Sequence, residues 1–483
     1  MQPRSIAFTA AAAAPAQAAV RTRSRKGLFG EMGWMEVFIF CQFLLPGILF
    51  LPGAQSIRTV LRTIPYLSCA LLVPVYHSRV KKIRLAPGCR LVLMALMLLV
   101  VELLHPESGF TTGLAQVVFQ LCIALPLYWG AGMVENAARL RRLLWLVLLA
   151  NGFSAGLGFL QALDPQTFLP REFAQSVIRN NPNYIEELSY VGTSGQKIVR
   201  PPGLNDTAGS AALAGLFAAI IGLGLAAEPS LKRWKRLLAL ACVFAGITDI
   251  YLAQVRSLFL VLVVAVAALA FIRHYRASLF SRRWISLVGL GMIGASFLIA
   301  VSIGGEAVSG RFLGIGDQGV YSSYEQNRGI FVNYTLRELL WQYPLGAGVG
   351  RWGLMNAYFG AADNQIHPSL WAEIQITGWL YDGGILMWIL YGGAIIAALV
   401  FSLRTATRHP DLNVASLAKI VFVLQLALAG ACIGGPIFNT AGGIVFWILA
   451  SALYGAARSR PVASLHPAQT RTFSRFTPAA KLQ

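Results

Sequence analysis

A guanidinium is permanently charged and grips phosphate oxygens through a planar fork, and an imidazole can take a proton from an attacking hydroxyl near neutral pH. The sequence places such groups sparingly. Arg200 stands in Val199-Arg200-Pro201-Pro202-Gly203-Leu204, just ahead of a long apolar run. Arg256 stands in Ala253-Gln254-Val255-Arg256-Ser257, a short interruption between two apolar runs. His367 stands in Ile366-His367-Pro368-Ser369-Leu370-Trp371, shortly before another run. Two arginines beside a histidine suit one kind of reaction. The arginines hold and neutralise a diphosphate leaving group, and the histidine takes the proton of an incoming hydroxyl. Asp382, further along the chain, is a candidate carboxylate.

Each of these residues also has a plainer reading. A lone arginine at a membrane boundary can snorkel to head groups. Asp249 lies seven residues before Arg256, on the same face if one helix continues through the interruption, and would then orient Arg256 through an ion pair. Asp382 sits in Tyr381-Asp382-Gly383-Gly384 inside an apolar run, where helix packing or a local break is the simpler account. His105, in His105-Pro106-Glu107, reads as a solvated loop histidine. No cysteine or histidine cluster has metal-ligand spacing, so this chemistry requires neither metal nor cofactor. Gly348-Val349-Gly350-Arg351-Trp352-Gly353 fits GxGxxG but follows a helical pattern rather than a strand, which argues against a dinucleotide site.

The elements that must position these groups are membrane helices. Of 483 residues 56% are hydrophobic and only 12% charged, where a soluble chain carries about a quarter. Apolar stretches long enough for a core of about 30 Å recur along the chain. They predict an all-α polytopic membrane protein of about twelve transmembrane helices, near 34–51, 59–76, 90–104, 111–133, 140–160, 207–227, 234–254, 257–273, 284–303, 378–402, 415–433 and 437–456. The six cysteines fall within or at the ends of these runs and read as small buried hydrophobes.

The net charge of +20 would fit a nucleic-acid binder, but topology accounts for it. With both termini cytoplasmic, 29 of the 40 basic residues fall on the cytoplasmic side, as the positive-inside rule requires. The basic cluster at 21–26 follows the Ala-rich start instead of preceding it, so residues 1–33 read as a cytoplasmic tail rather than a signal peptide. The expected order is that tail, membrane helices over 34–160, an outward-facing loop over 161–206, helices over 207–303, a large outward-facing loop over 304–377, helices over 378–456 and a second cytoplasmic tail over 457–483. Long loops are commonly functional. In the larger one Val332, Leu336, Leu339, Leu340 and Tyr343 recur at helical spacing, predicting an amphipathic helix ended by Pro344 and a glycine-rich turn.

The same residues carry a resemblance. Arg200-Pro201-Pro202-Gly203-Leu204, Arg256-Ser257, the stretch from Arg328 to Gly350, and His367 with Leu370 resemble, in order and spacing, segments of the O-antigen ligase and Wzy-type polysaccharide polymerase superfamily. The likeness covers roughly residues 195–390. Pro368 stands where the family usually has asparagine, and Asp382-Gly383-Gly384 comes later than the usual acidic-glycine element, leaving Glu373 as a second candidate for that position.

The resemblance implies a helical membrane frame of the GT-C kind and a metal-independent, inverting glycosyl transfer at the outer face of the bacterial inner membrane. The donor would be a glycan on undecaprenyl diphosphate, held by Arg200 and Arg256. Arg328 would contact sugar or phosphate, and His367 would be the general base. Arg351, Asp249, Glu373 and Asp382 complete the expected substrate-binding set. A polymerase of exported polysaccharide is the leading expectation, with a glycan acceptor, the lipid bilayer, chain-length regulators and export proteins as partners. A ligase acting on another lipid or a protein is the alternative of the same chemistry. A lipid-linked sugar transporter or flippase is the alternative of another class.

Overall fold

The computed structural model describes residues 33–51, 53–79, 84–169, 186, 188–272, 279–360 and 368–458. Twelve helical elements cover the twelve expected segments: α1 Trp34–Phe50, α2 Arg58–Arg79, α3 Cys89–Val101, α4 Phe110–Met133, α5 Ala137–Leu163, α6 Ala208–Ala226, α7 Arg233–Leu252, α8 Arg256–Phe271, α9 Leu279–Gln318, α10 Gln375–Arg408, α11 Leu412–Ala431 and α12 Ala441–Arg458. Among the described residues eight are long and apolar enough to cross a membrane: α2, α4, α5, α6, α9, α10, α11 and α12. The protein is an all-α polytopic membrane protein in that sense. Of the rest, α1 and α8 are apolar but shorter, α3 has 13 residues, and α7 carries Arg233, Lys235, Arg236 and Asp249.

The bundle is built around α6. A helix that is apolar on every side belongs at the centre of a large structure, and every residue of α6 is buried except Gly209 and Ser210 in its first turn. It packs on α7 backbone to backbone: a Cβ on Gly215 would lie 2.4 Å from the carbonyl oxygen of Gly246. Small residues permit that approach where water supplies no driving force between helices. α5, α8 and α11 complete the ring around it. Asn136 caps α5 and Thr207 caps α6 through side-chain acceptors, as short polar residues at helix starts do.

Three features depart from the sequence reading. The expected loop over 161–206 contains an antiparallel hairpin, β1 Ser189–Val191 and β2 Lys197–Val199, with Tyr190 opposite Ile198. The large loop begins later than residue 304, because α9 continues to Gln318 through a break at Gly305 (φ 59°, ψ −140°). The amphipathic helix is a run of short helical pieces from Val320 to Gln342, with π turns over Glu325–Gly329 and Thr335–Leu339. A π turn adds a residue per turn and rotates everything after it. The inward face therefore passes through Thr335 and Leu339, and Leu336, expected inside, is exposed.

Candidate functional site

A cavity of about 470 Å³ lies where five helices end: the starts of α6, α8 and α12 and the ends of α7 and α11. Arg200, Arg256, Arg311 and Arg328 all line it. Among the described residues Glu373 is the only carboxylate that does. The arginines come from four separate stretches of chain, so the concentration of charge is a product of the fold.

Arg200 follows β2, and its backbone N–H donates to the carbonyl of Leu188 (3.0 Å). The turn after it is clamped to α5. Gly203 donates its N–H to Oε1 of Gln161 (2.9 Å) and accepts from Nε2 of the same side chain (3.0 Å), and Leu204 N–H donates to Ser154 Oγ (3.0 Å). Gly203 has φ +58°, and a Cβ there would lie 2.8 Å from Ser154 Oγ. Asp206 then pairs with Arg58 (2.6 Å) and Arg62 of α2, and Thr207 starts α6. Tyr190 lies within electrostatic range of Arg200 and donates to the Leu252 carbonyl (3.3 Å). Burial pushes its phenol above the usual range.

Arg256 is set by a sharp reversal. α7 stops at Leu252, and Gln254 adopts φ +55°, a region that costs a non-glycine residue about 1–2 kcal/mol. Arg256 opens α8 on the other side of this corner. The corner is held from α9: Arg311 Nε donates to the Gln254 carbonyl (3.0 Å), and Gln254 Nε2 reaches the carbonyl of Ala307 (3.5 Å). Both α9 residues follow the Gly305 break. Arg311 is within electrostatic range of Arg200 and Arg256. It escaped the sequence reading, although it shares with Arg200 and Arg256 the signal of lying among the few arginines on the side the positive-inside rule leaves poor in cations.

Arg328 enters from the π turn before Ile330 and is ion-paired with Glu373, just ahead of α10. Burial lowers its guanidinium below the ordinary arginine value while leaving it charged. Thr335 Oγ1 and Thr377 Oγ1 lie 2.6 Å apart and join the same two segments seven residues and four residues further on.

Three expected residues lie elsewhere. Asp249 is fully buried in α7 against Gly158 of α5, and neither carboxylate oxygen has a hydrogen-bond partner among the described residues. It forms no ion pair with Arg256, because the helix does not continue through the corner at Gln254. Asp382 is buried beneath the glycine-rich turn and accepts from Gln116 Nε2 (3.2 Å). It marks a break in α10 at Gly383 and Gly384, where the turn docks: Ala347 N–H donates to Tyr381 O (2.8 Å) and Ile385 N–H to Pro344 O (3.0 Å). Arg351 is buried as well, donating to the carbonyls of Ala347 (2.9 Å) and Pro368 (3.2 and 3.3 Å) and facing Glu107 (3.3 Å). These are groups that hold the loop together. His367 lies outside the described residues.

Among the described residues the cavity is lined by four arginines and one carboxylate. The N-terminal ends of α6 and α8, which border the cavity, add partial positive charge. The arrangement suits a polyanion with several oxygens, and apolar Leu213, Leu258 and Leu260 line another part of the wall. No protein-family model and no curated protein matches the chain.

Proposed function

We propose that this chain is a glycosyltransferase that joins undecaprenyl-diphosphate-linked repeat units into an exported polysaccharide, without a metal and with inversion, as a member of the O-antigen ligase and Wzy-type polymerase superfamily. The observation that carries the reading is the convergence of Arg200, Arg256, Arg311 and Arg328 on one cavity. An acceptor hydroxyl attacks the anomeric carbon and loses its proton to a base. The bond from that carbon to the diphosphate oxygen breaks, and the lipid diphosphate leaves with the electron pair. Fixed guanidinium groups favour this step because charge on the leaving oxygens grows toward the transition state. The family resemblance supplies His367 as the base. The two activities share the chemistry and differ in acceptor; the resemblance favours polymerase, because His367-Pro368-Ser369 and the displaced Asp382-Gly383-Gly384 look more like exopolysaccharide members.

The proposed frame has twelve spans, both termini cytoplasmic and the cavity facing the periplasm. A transporter reading draws on the broken helix α10, since discontinuous helices line transporter sites. Here loop backbone fills the break, through the contacts of Pro344 and Ala347, which argues against a substrate site there.

The test uses the purified chain in lipid with a polyprenyl-diphosphate-linked repeat unit. A ladder of longer lipid-linked products is expected. A single transfer to a second acceptor would replace polymerase by ligase, and movement of the lipid without new glycosidic bonds would sink both. Arg256→Ala and His367→Ala should each lower transfer at least 100-fold, the scale for loss of one charged stabiliser or general base. Arg256→Lys should remain poor, because a point charge cannot reproduce the fork.

A further inference from the structure

The cavity holds its own competitor for the anion. Glu373 is ion-paired with Arg328 inside a site where Arg200, Arg256 and Arg311 also face the same space. The pair is only partly shielded, with side-chain exposures of 33% for Arg328 and 25% for Glu373. A pair so placed can exchange partners without opening the fold. Arg328 and Glu373 also come from two segments tied further on by the Thr335–Thr377 contact, so the carboxylate remains near its arginine when an anion intervenes.

We propose that Glu373 is a displaceable counter-ion that tunes how tightly the cavity holds a diphosphate. The proposal rests on the reading of the cavity as a diphosphate site. An arriving diphosphate takes Arg328 from Glu373, and the freed carboxylate then lies beside negative charge. That repulsion weakens product binding, and the Arg328–Glu373 pair re-forms as the lipid diphosphate leaves. Product release limits turnover in many enzymes, so a carboxylate that returns to Arg328 as the diphosphate departs speeds the cycle. Glu373 thereby sets affinity without touching the reacting carbon.

The sign of one substitution separates this from a structural ion pair. If Glu373 only propped Arg328 in place, Glu373→Gln would loosen Arg328 and weaken anion binding. If Glu373 competes with the anion, Glu373→Gln should bind inorganic pyrophosphate about tenfold more tightly, within the usual range for coupling between neighbouring sites. Glu373→Asp, which keeps the charge, should bind like the parent. The measurement is calorimetric titration of pyrophosphate into the full chain in detergent, with thermal unfolding to confirm that each variant is folded. Pyrophosphate should also inhibit glycan transfer by Glu373→Gln at about one tenth of the concentration that inhibits the parent. Unchanged or weaker binding by Glu373→Gln, with the parent binding normally, overturns the counter-ion proposal and leaves the diphosphate reading standing. No pyrophosphate binding by the parent overturns both.

Discussion

Arg311 shows how one side chain can serve a site twice. Its Nε holds the Gln254 carbonyl at the strained corner before Arg256, and its charge borders the cavity with Arg200 and Arg256. Arg311→Ala should remove both contributions and lower glycan transfer about 100-fold, whereas Arg311→Lys, which keeps the charge and loses the fork, should fall between. Steady-state transfer assays of the two variants check this, and a fully active Arg311→Ala would confine the residue to the wall. The cations of the site were partly legible in the sequence, because arginines on that side of the topology are few and Arg200, Arg256 and Arg328 stood out. Arg311 was not, since its approach depends on the Gly305 break and on a positive φ at Gln254, neither of which has a periodic pattern. The carboxylates were less legible still. Asp249, Asp382 and Glu373 have the same side-chain chemistry, and only packing distinguishes a buried structural group from one that faces the cavity.

At the scale of elements, the site depends on how α5 holds the turn between Arg200 and α6. Gln161 and Ser154 are one face of α5, seven residues apart, and both bond the backbone at Gly203 and Leu204. Gly203→Ala would place a Cβ 2.8 Å from Ser154 Oγ and 2.9 Å from its carbonyl oxygen, at a backbone angle that already disfavours any side chain. The steric cost at positive φ alone is about 1–2 kcal/mol. The chain must shift, and Arg200 with it, so transfer should fall at least tenfold and the thermal midpoint should drop. Gly156→Ala is the matched control: it lies on the same helix and meets nothing within 4 Å, so both measurements should stay near the parent's. Equal behaviour of the two variants would detach the α5 clamp from the site. Helices at this scale were readable from apolar runs, and among the described residues eight of them are long and apolar enough to cross a membrane. Their local deformations were not. The π turns near Arg328 and the breaks at Gly305 and Gly383–Gly384 arise from packing against other elements, which a one-dimensional period does not contain.

For the whole molecule, the charge distribution and the cavity should lie at opposite ends. The helix ends that form the cavity are the start of α6 and the end of α7, so the turn joining the other ends of this pair is remote from it. That turn is where basic residues gather: Arg141 meets Glu228 (3.2 Å), and Arg236 donates to the carbonyls of Ala226 and Glu228 (3.0 Å each). These cations cap the end of α6 as well as contributing to the positive-inside bias, since a helix C-terminus favours positive charge. Capping is the same whichever way the pair faces, so it is the positive-inside bias alone on which we propose that the Lys232–Arg236 turn is cytoplasmic and the arginine cavity periplasmic. Single cysteines in a cysteine-free background test this. Ser194→Cys, at the exposed tip of the hairpin beside Arg200, should react in intact cells with a membrane-impermeant maleimide. Lys232→Cys, equally exposed, should react only after the membrane is permeabilised. The reverse pattern would turn the molecule over and place the four arginines on the cytoplasmic side. An exported-polysaccharide polymerase would then be untenable, because its lipid-linked units would meet the cavity on the wrong face. Labelling of both sites without permeabilisation would separate the two ends of the α6–α7 pair from the membrane faces they are proposed to reach.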